Sequence, residues 1–123
     1  VYLKGKNEKL KRRLEALSST DIAVCSVTKS ELFSGAKKSN NPQRSLETQK
    51  KFFSQFVSLP FDDKAAECYA EVRSKLESLG KPIGPYDLQI AAIALANNLI
   101  LVTHNTREFS RIEGLKIEDW ETD

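Results

Sequence analysis

The sequence has no methionine, one histidine, one tryptophan and two cysteines among its 123 residues, and each scarcity closes off a class of protein. With His104 as the sole imidazole, a His-based zinc site cannot be assembled. Cys25 lies in an apolar run and Cys68 in a helical pattern, without CxxC spacing. They read as two reduced, buried thiols rather than a disulfide or a metal site. No apolar run reaches the ~20 residues of a membrane-spanning helix. No charged-then-apolar opening resembles a signal peptide, so the cytoplasm is the expected compartment. GxGxxG, Walker and GxSxG patterns are all absent, which leaves nucleotide-cofactor and serine-hydrolase chemistry without support. There is no internal repeat and no low-complexity segment. The missing Met, with a start at Val1 just before Gly5-Lys6, reads as a chain whose beginning is absent.

What is present is the composition of a soluble globular domain, 40% hydrophobic and 29% charged. The length suits one domain with a single core, so residues 1–123 are expected to form one unit. A net charge of +2 does not by itself point to nucleic acid. Lys4, Lys6, Lys9, Lys11, Arg12 and Arg13 crowd the first segment, and Lys37-Lys38 and Lys50-Lys51 add two pairs. No aromatics interleave with them, so solvated helix faces are the first reading.

Asn7 to Leu17 places Leu10, Leu14 and Leu17 at helical spacing. "IAVCSV", Ile22 to Val27, is a short apolar run rich in β-branched residues, the pattern of a strand covered on both sides, which favours a parallel sheet. Thr28 is expected to open a helix through about Gly35, and a third helix spans Pro42 to Phe56 after the turn-rich "SNNPQ". Val57 to Leu59 is a brief strand. Asp62 caps a long helix to Leu79, with Ala66, Tyr69, Ala70, Val72, Leu76 and Leu79 as its apolar stripe. "GPYDLQIAAIALANN" is a helix apolar on nearly every face, opened by Gly84-Pro85 and stopped by Asn97-Asn98. Strand Leu99 to Thr103, a short helix Thr106 to Ile112 and a last strand around Leu115 to Ile117 complete an α/β sandwich with right-handed crossovers.

In open α/β sheets ligands collect outside the carboxyl ends of the strands. Glu31 follows the first strand, and Asn105 and Glu108 follow strand Leu99 to Thr103. Asp87 opens the helix that returns to that strand, so all four fall on one rim. Each has a plainer reading. Thr28-x-x-Glu31 fits a capping box, and an Asp in a first turn is favoured by the helix dipole at ~0.3 to 1 kcal/mol. Carboxylates gathered at an enclosed rim repel one another unless a cation compensates. Oxygen ligands without a Cys or His set suit Mg²⁺ or Mn²⁺. His104 reads as a loop residue or a substrate contact.

"SVTKSELFSGA" and "IGPYDLQIAAIALANNLILVTHNTREFSRIEGLKIEDW", with the long helix between them, resemble the PIN-domain toxins of the VapC family, in particular the tRNA(fMet)-specific endonucleases. The resemblance implies a PIN-like three-layer sandwich, with a mainly parallel sheet flanked by helices. It also implies a Mg²⁺-dependent ribonuclease of a type II toxin-antitoxin pair, acting on RNA that includes initiator tRNA, inhibited by a VapB-type antitoxin and usually dimeric. Position by position it places metal ligands at Glu31 and Asp87 and a catalytic partner at Asn105, with Glu108 and Thr103 accessory. His104, Lys11 and Arg12 fall where RNA would lie. The family's first acidic ligand ends an amino-terminal strand of the form "LLDTN", and this sequence starts after that place. The rival readings are a non-catalytic module that binds antitoxin or a second protomer, and a receiver-type phosphoacceptor domain, which needs a strand ending in Asp that neither visible strand has.

Overall fold

A computed structural model describes the backbone of residues 8–121 and the side chains of residues 12–121. Helix α1 (Glu8–Glu15) leads through a 3₁₀ turn at Ser19–Asp21 into strand β1 (Ala23–Cys25). β1 is half the length its apolar run suggested, because the chain turns into α2 (Ser26–Lys37) directly after Cys25, an extended residue that serves as N-cap. Thr28 is therefore the third residue of α2 and not its opener. Its buried hydroxyl lies 3.1 Å from Cys25 Sγ. The capping box with Glu31 is not formed, since a box requires its Ser or Thr at the N-cap itself.

Helix α3 (Pro42–Phe53) starts at the Asn41 cap, whose side chain accepts the Arg44 N–H at 3.2 Å. It packs back on α2 through an edge-on Phe33–Phe53 pair, and a Ser39–Ser45 hydroxyl contact of 2.8 Å ties the tip of the hairpin. Strand β2 (Val57–Leu59) runs parallel to β1, with Ala23 opposite Val57 and Cys25 opposite Leu59. Asp62 caps α4 (Asp63–Ser78) by accepting the Ala65 N–H at 2.9 Å.

Helix α5 (Pro85–Ala96) is the axis of the fold. Ile93 and Ala96 pack with Cys25 and Ala65 on the β1·β2 side. Leu88, Ala91 and Ala94 pack with Leu76, Leu101, Phe109 and Ile112 on the other. Asn98, at φ 53°, ends the helix in the left-handed conformation that Asn tolerates. The Asn98 and Leu99 N–H groups then bond back to Leu95 and Ala94, the pattern of a Schellman stop.

Strand β3 (Leu101–Val102) and strand β4 (Ile117–Glu118) form a second parallel pair, with α6 (Thr106–Phe109) between them in sequence. Successive residues of β3 point to opposite layers: Leu101 packs in the α5 cluster, whereas Val102 joins Trp120 and Leu14 of α1. Helices thus cover both faces of the strands, as expected of a three-layer sandwich. One difference concerns the sheet. Among the described residues it consists of two parallel pairs, β1·β2 and β3·β4, rather than one continuous ladder. A groove of about 590 Å³ is lined by Ile22, Ala23, Leu99, Ile100 and Val102, with Leu17 and the polar Arg13, Asp21, Asn98 and Glu118. Leu17, Leu99 and Ile100 are the exposed large apolar residues here. No helix among the described residues is long and apolar enough to cross a membrane.

Candidate active site

Three helices that adjoin the carboxyl ends of strands bring three carboxylates together. α2 starts directly at the end of β1 and carries Glu31 in its second turn, exposed and with no capping role. α5 carries Asp87 in its first turn, next to the fully buried Leu88, so this carboxylate is half-buried. α6, just after β3, carries the half-buried Glu108. The Asp87 carboxyl is held above the ordinary carboxylate range. Burial is the largest cause, followed by the negative charges of Glu108 and Glu31, and then by a hydrogen bond with Glu108 that favours the protonated form. Both neighbouring charges that act on it are negative.

The other expected residues divide. Asn105 is exposed at the N-cap of α6 without capping it through its side chain, and its N–H bonds to Thr103 Oγ1 at 3.0 Å. Thr103 is buried, so its hydroxyl shapes the turn from which Asn105 and Glu108 project and does not face outward. His104 is exposed but turns towards the carboxyl-terminal segment, with Nδ1 3.1 Å from Asp119 Oδ2 and 3.7 Å from Glu121 Oε2. One potential ligand atom from each of these three residues lies within 4.8 Å of the others. Together they form one mixed group of nitrogen and oxygen donors, distinct from a His-based zinc site. Asp119 went unnoticed in the sequence. It directly follows β4, so the rule that picked out Asn105 after β3 would have found it. Arg12 is exposed in the last turn of α1, and the side chain of Lys11 lies outside those described.

Crowded acidic groups at a strand-end rim, with hard oxygen donors, suit a divalent cation that shares its coordination with water. Residues 2–115 match the family model of the PIN domain. The chain is 40% identical to the "tRNA(fMet)-specific endonuclease VapC" of Salmonella typhimurium, over 96% of this chain and 89% of the relative. It belongs to the VapC family of PIN-domain proteins. A second VapC relative, "Ribonuclease VapC2" of Haemophilus influenzae, is 38% identical over 90% of this chain and 89% of its own length. Among solved structures, DNA-bound VapBC from Salmonella typhimurium superposes with a TM-score of 0.85 at 40% identity, covering 92% of this chain and 85% of that one. VapBC2 from Rickettsia felis, bound to a promoter DNA fragment, gives 0.82 at 38% identity over 89% and 84%. The expected PIN-type α/β architecture is therefore borne out.

Proposed function

We propose that this VapC-family protein is the toxin of a VapBC-type pair, an endoribonuclease whose catalysis depends on a divalent cation, Mg²⁺ or Mn²⁺, held by Asp87 and Glu31 with Glu108 beside them. The observation that carries the reading is the state of Asp87. Its carboxyl is pressed upward by burial and by two neighbouring carboxylates. Such a cluster is poor design for stability and well suited to a hard cation. When bound, the cation supplies Lewis acidity, which acidifies water and offsets charge on a phosphodiester.

The chain's own residues do the rest. Asp87 is carried by the first turn of α5 and Glu31 by the second turn of α2, which sets where each side chain leaves the backbone. Glu108, hydrogen-bonded to Asp87, would serve as the accessory carboxylate beside it. Asn105, set by the Thr103 turn, would orient water at the rim. No covalent nucleophile is needed. A further carboxylate would enter on a strand lying in the groove between β1 and β3, parallel to both and ending at the rim. Its support is the groove, whose lining includes Ala23 of β1 and Val102 of β3.

The 40% identity to a tRNA(fMet)-specific endonuclease makes initiator tRNA the substrate to try first, and the VapBC neighbours make a VapB-type protein the expected inhibitor. The test is cleavage of initiator and elongator tRNAs with Mg²⁺, with EDTA, and by Asp87→Asn. We expect Mg²⁺-dependent, EDTA-sensitive cleavage that Asp87→Asn lowers by more than the ~10–100-fold typical of losing an outer-shell partner. Unchanged cleavage by Asp87→Asn removes it as a ligand.

A further inference from the structure

The hairpin of α2 and α3 carries a charge that the rim does not use. Residues 26–53 hold six Lys or Arg against two Glu, a balance of +4 in a chain whose total is +2. One of the two acids is Glu31 at the rim, and the other, Glu47, accepts a hydrogen bond from Gln43. At the tip, Lys37, Lys38 and Arg44 are all exposed, along with Asn40, Asn41 and Gln43, and no carboxylate lies between residues 37 and 44. None of these three cations has an ion-pair partner among the described residues. Elsewhere, Arg73 pairs with Glu77 at 2.6 Å and Lys75 pairs with Glu113. The tip is also a defined shape, since the Ser39–Ser45 contact and the Asn41 cap fix the turn.

From these observations we infer that the α2–α3 tip is a docking surface for the phosphate backbone of the RNA substrate, remote from the scissile bond. The inference rests on the ribonuclease reading of the rim and extends it. Unpaired cations with amide and hydroxyl donors, without aromatic platforms or acids, match phosphate and sugar contacts better than base readout. Geometry sets the length of RNA required. Glu31 precedes Lys37 by six residues on one helix, about 9 Å. At about 3.4 Å per stacked nucleotide, the tip meets phosphates some three or more nucleotides from the rim.

The test compares the wild type with Lys37→Ala/Lys38→Ala/Arg44→Ala and with a control of equal charge change, Lys64→Ala/Lys81→Ala/Lys116→Ala, also exposed positions. Binding of a 15-nucleotide RNA is followed by fluorescence anisotropy in EDTA over a range of NaCl, so the readout does not depend on cleavage. Three lost phosphate contacts should flatten the slope of log K against log[salt] by about 2, at about 0.7 per contact for single strands. The control should keep the wild-type slope. In cleavage, the tip variant should raise KM at unchanged kcat, whereas damage to the rim would lower kcat. Slopes alike in the tip variant and the control would overturn the inference, even if the wild type cleaves RNA. Intact RNA binding with lost affinity for the antitoxin would overturn it in favour of an acidic protein partner. If the slope flattens as expected while no protein cleaves any RNA, it is the ribonuclease reading that fails.

Discussion

Asp87 is the residue on which the chemistry turns, and its ionisation has a sign that can be measured. The folded protein holds this carboxyl protonated at pH values where the unfolded chain has already released the proton. The native state therefore binds more protons in that window, and stability falls as pH rises through the raised Asp87 value. Below the ordinary carboxylate range the contribution is flat. Asp87→Asn lacks the effect, so its melting temperature should equal or exceed that of the wild type near neutrality, with the two converging as pH falls towards the usual Asp range. Melts across pH check this, and a large loss of stability in Asp87→Asn would favour a purely structural role. Glu31→Gln is expected to leave stability within ~0.5 kcal/mol, since Glu31 is exposed and caps nothing, while cleavage is lost. That Glu31 and Asp87 lie near one another was legible in the sequence, because residues that open helices at strand ends share a rim. The His104 grouping with Asp119 and Glu121 was missed, although Asp119 directly follows β4 and the same rule reaches it.

At the level of elements, the ends that carry a chemical stop signal are the ones the sequence announces. Gly84-Pro85 and Asn97-Asn98 bracket α5 as expected, the latter through the left-handed Asn98. Asp62 caps α4 where a cap was read, and Asp62→Ala should cost about 1 kcal/mol in urea unfolding, with Asp62→Asn largely retaining it. If the Ala variant unfolds like the wild type, the Ala65 N–H has found another acceptor. The start of α2 was misplaced by two residues. "IAVCSV" is apolar except for Ser26, and one Ser inside a β-branched run is a weak mark of where a buried backbone turns from strand to helix, so the Cys25–Ser26 junction is easily missed. α3 likewise stops at Phe53, short of Phe56, because Phe52 and Phe56 still pack edge-on across the turn and keep the apolar spacing going past the helix.

Across the molecule, α5 packs between two strand pairs that no ladder joins among the described residues, and a groove lies beside them. Joining to the amino side of the chain a segment able to pair with β1 and β3 and ending in Asp should raise both the melting temperature and RNA cleavage. The same segment ending in Asn should raise only the melting temperature. A cleavage rate indifferent to that Asp would show that Glu31, Asp87 and Glu108 suffice. The layered α/β arrangement was legible from the alternation of helices with short buried strands. The split into two pairs was not, because pairing depends on which edges meet in space. The central claim, that the rim is a cation site, is tested most directly by calorimetric titration of Mn²⁺ into the wild type and into Glu31→Ala/Asp87→Ala. The account predicts saturable uptake by the wild type, weakening as pH falls and protons compete for the carboxylates, and none by the double variant with its circular dichroism unchanged. Uptake that survives both replacements would contradict it.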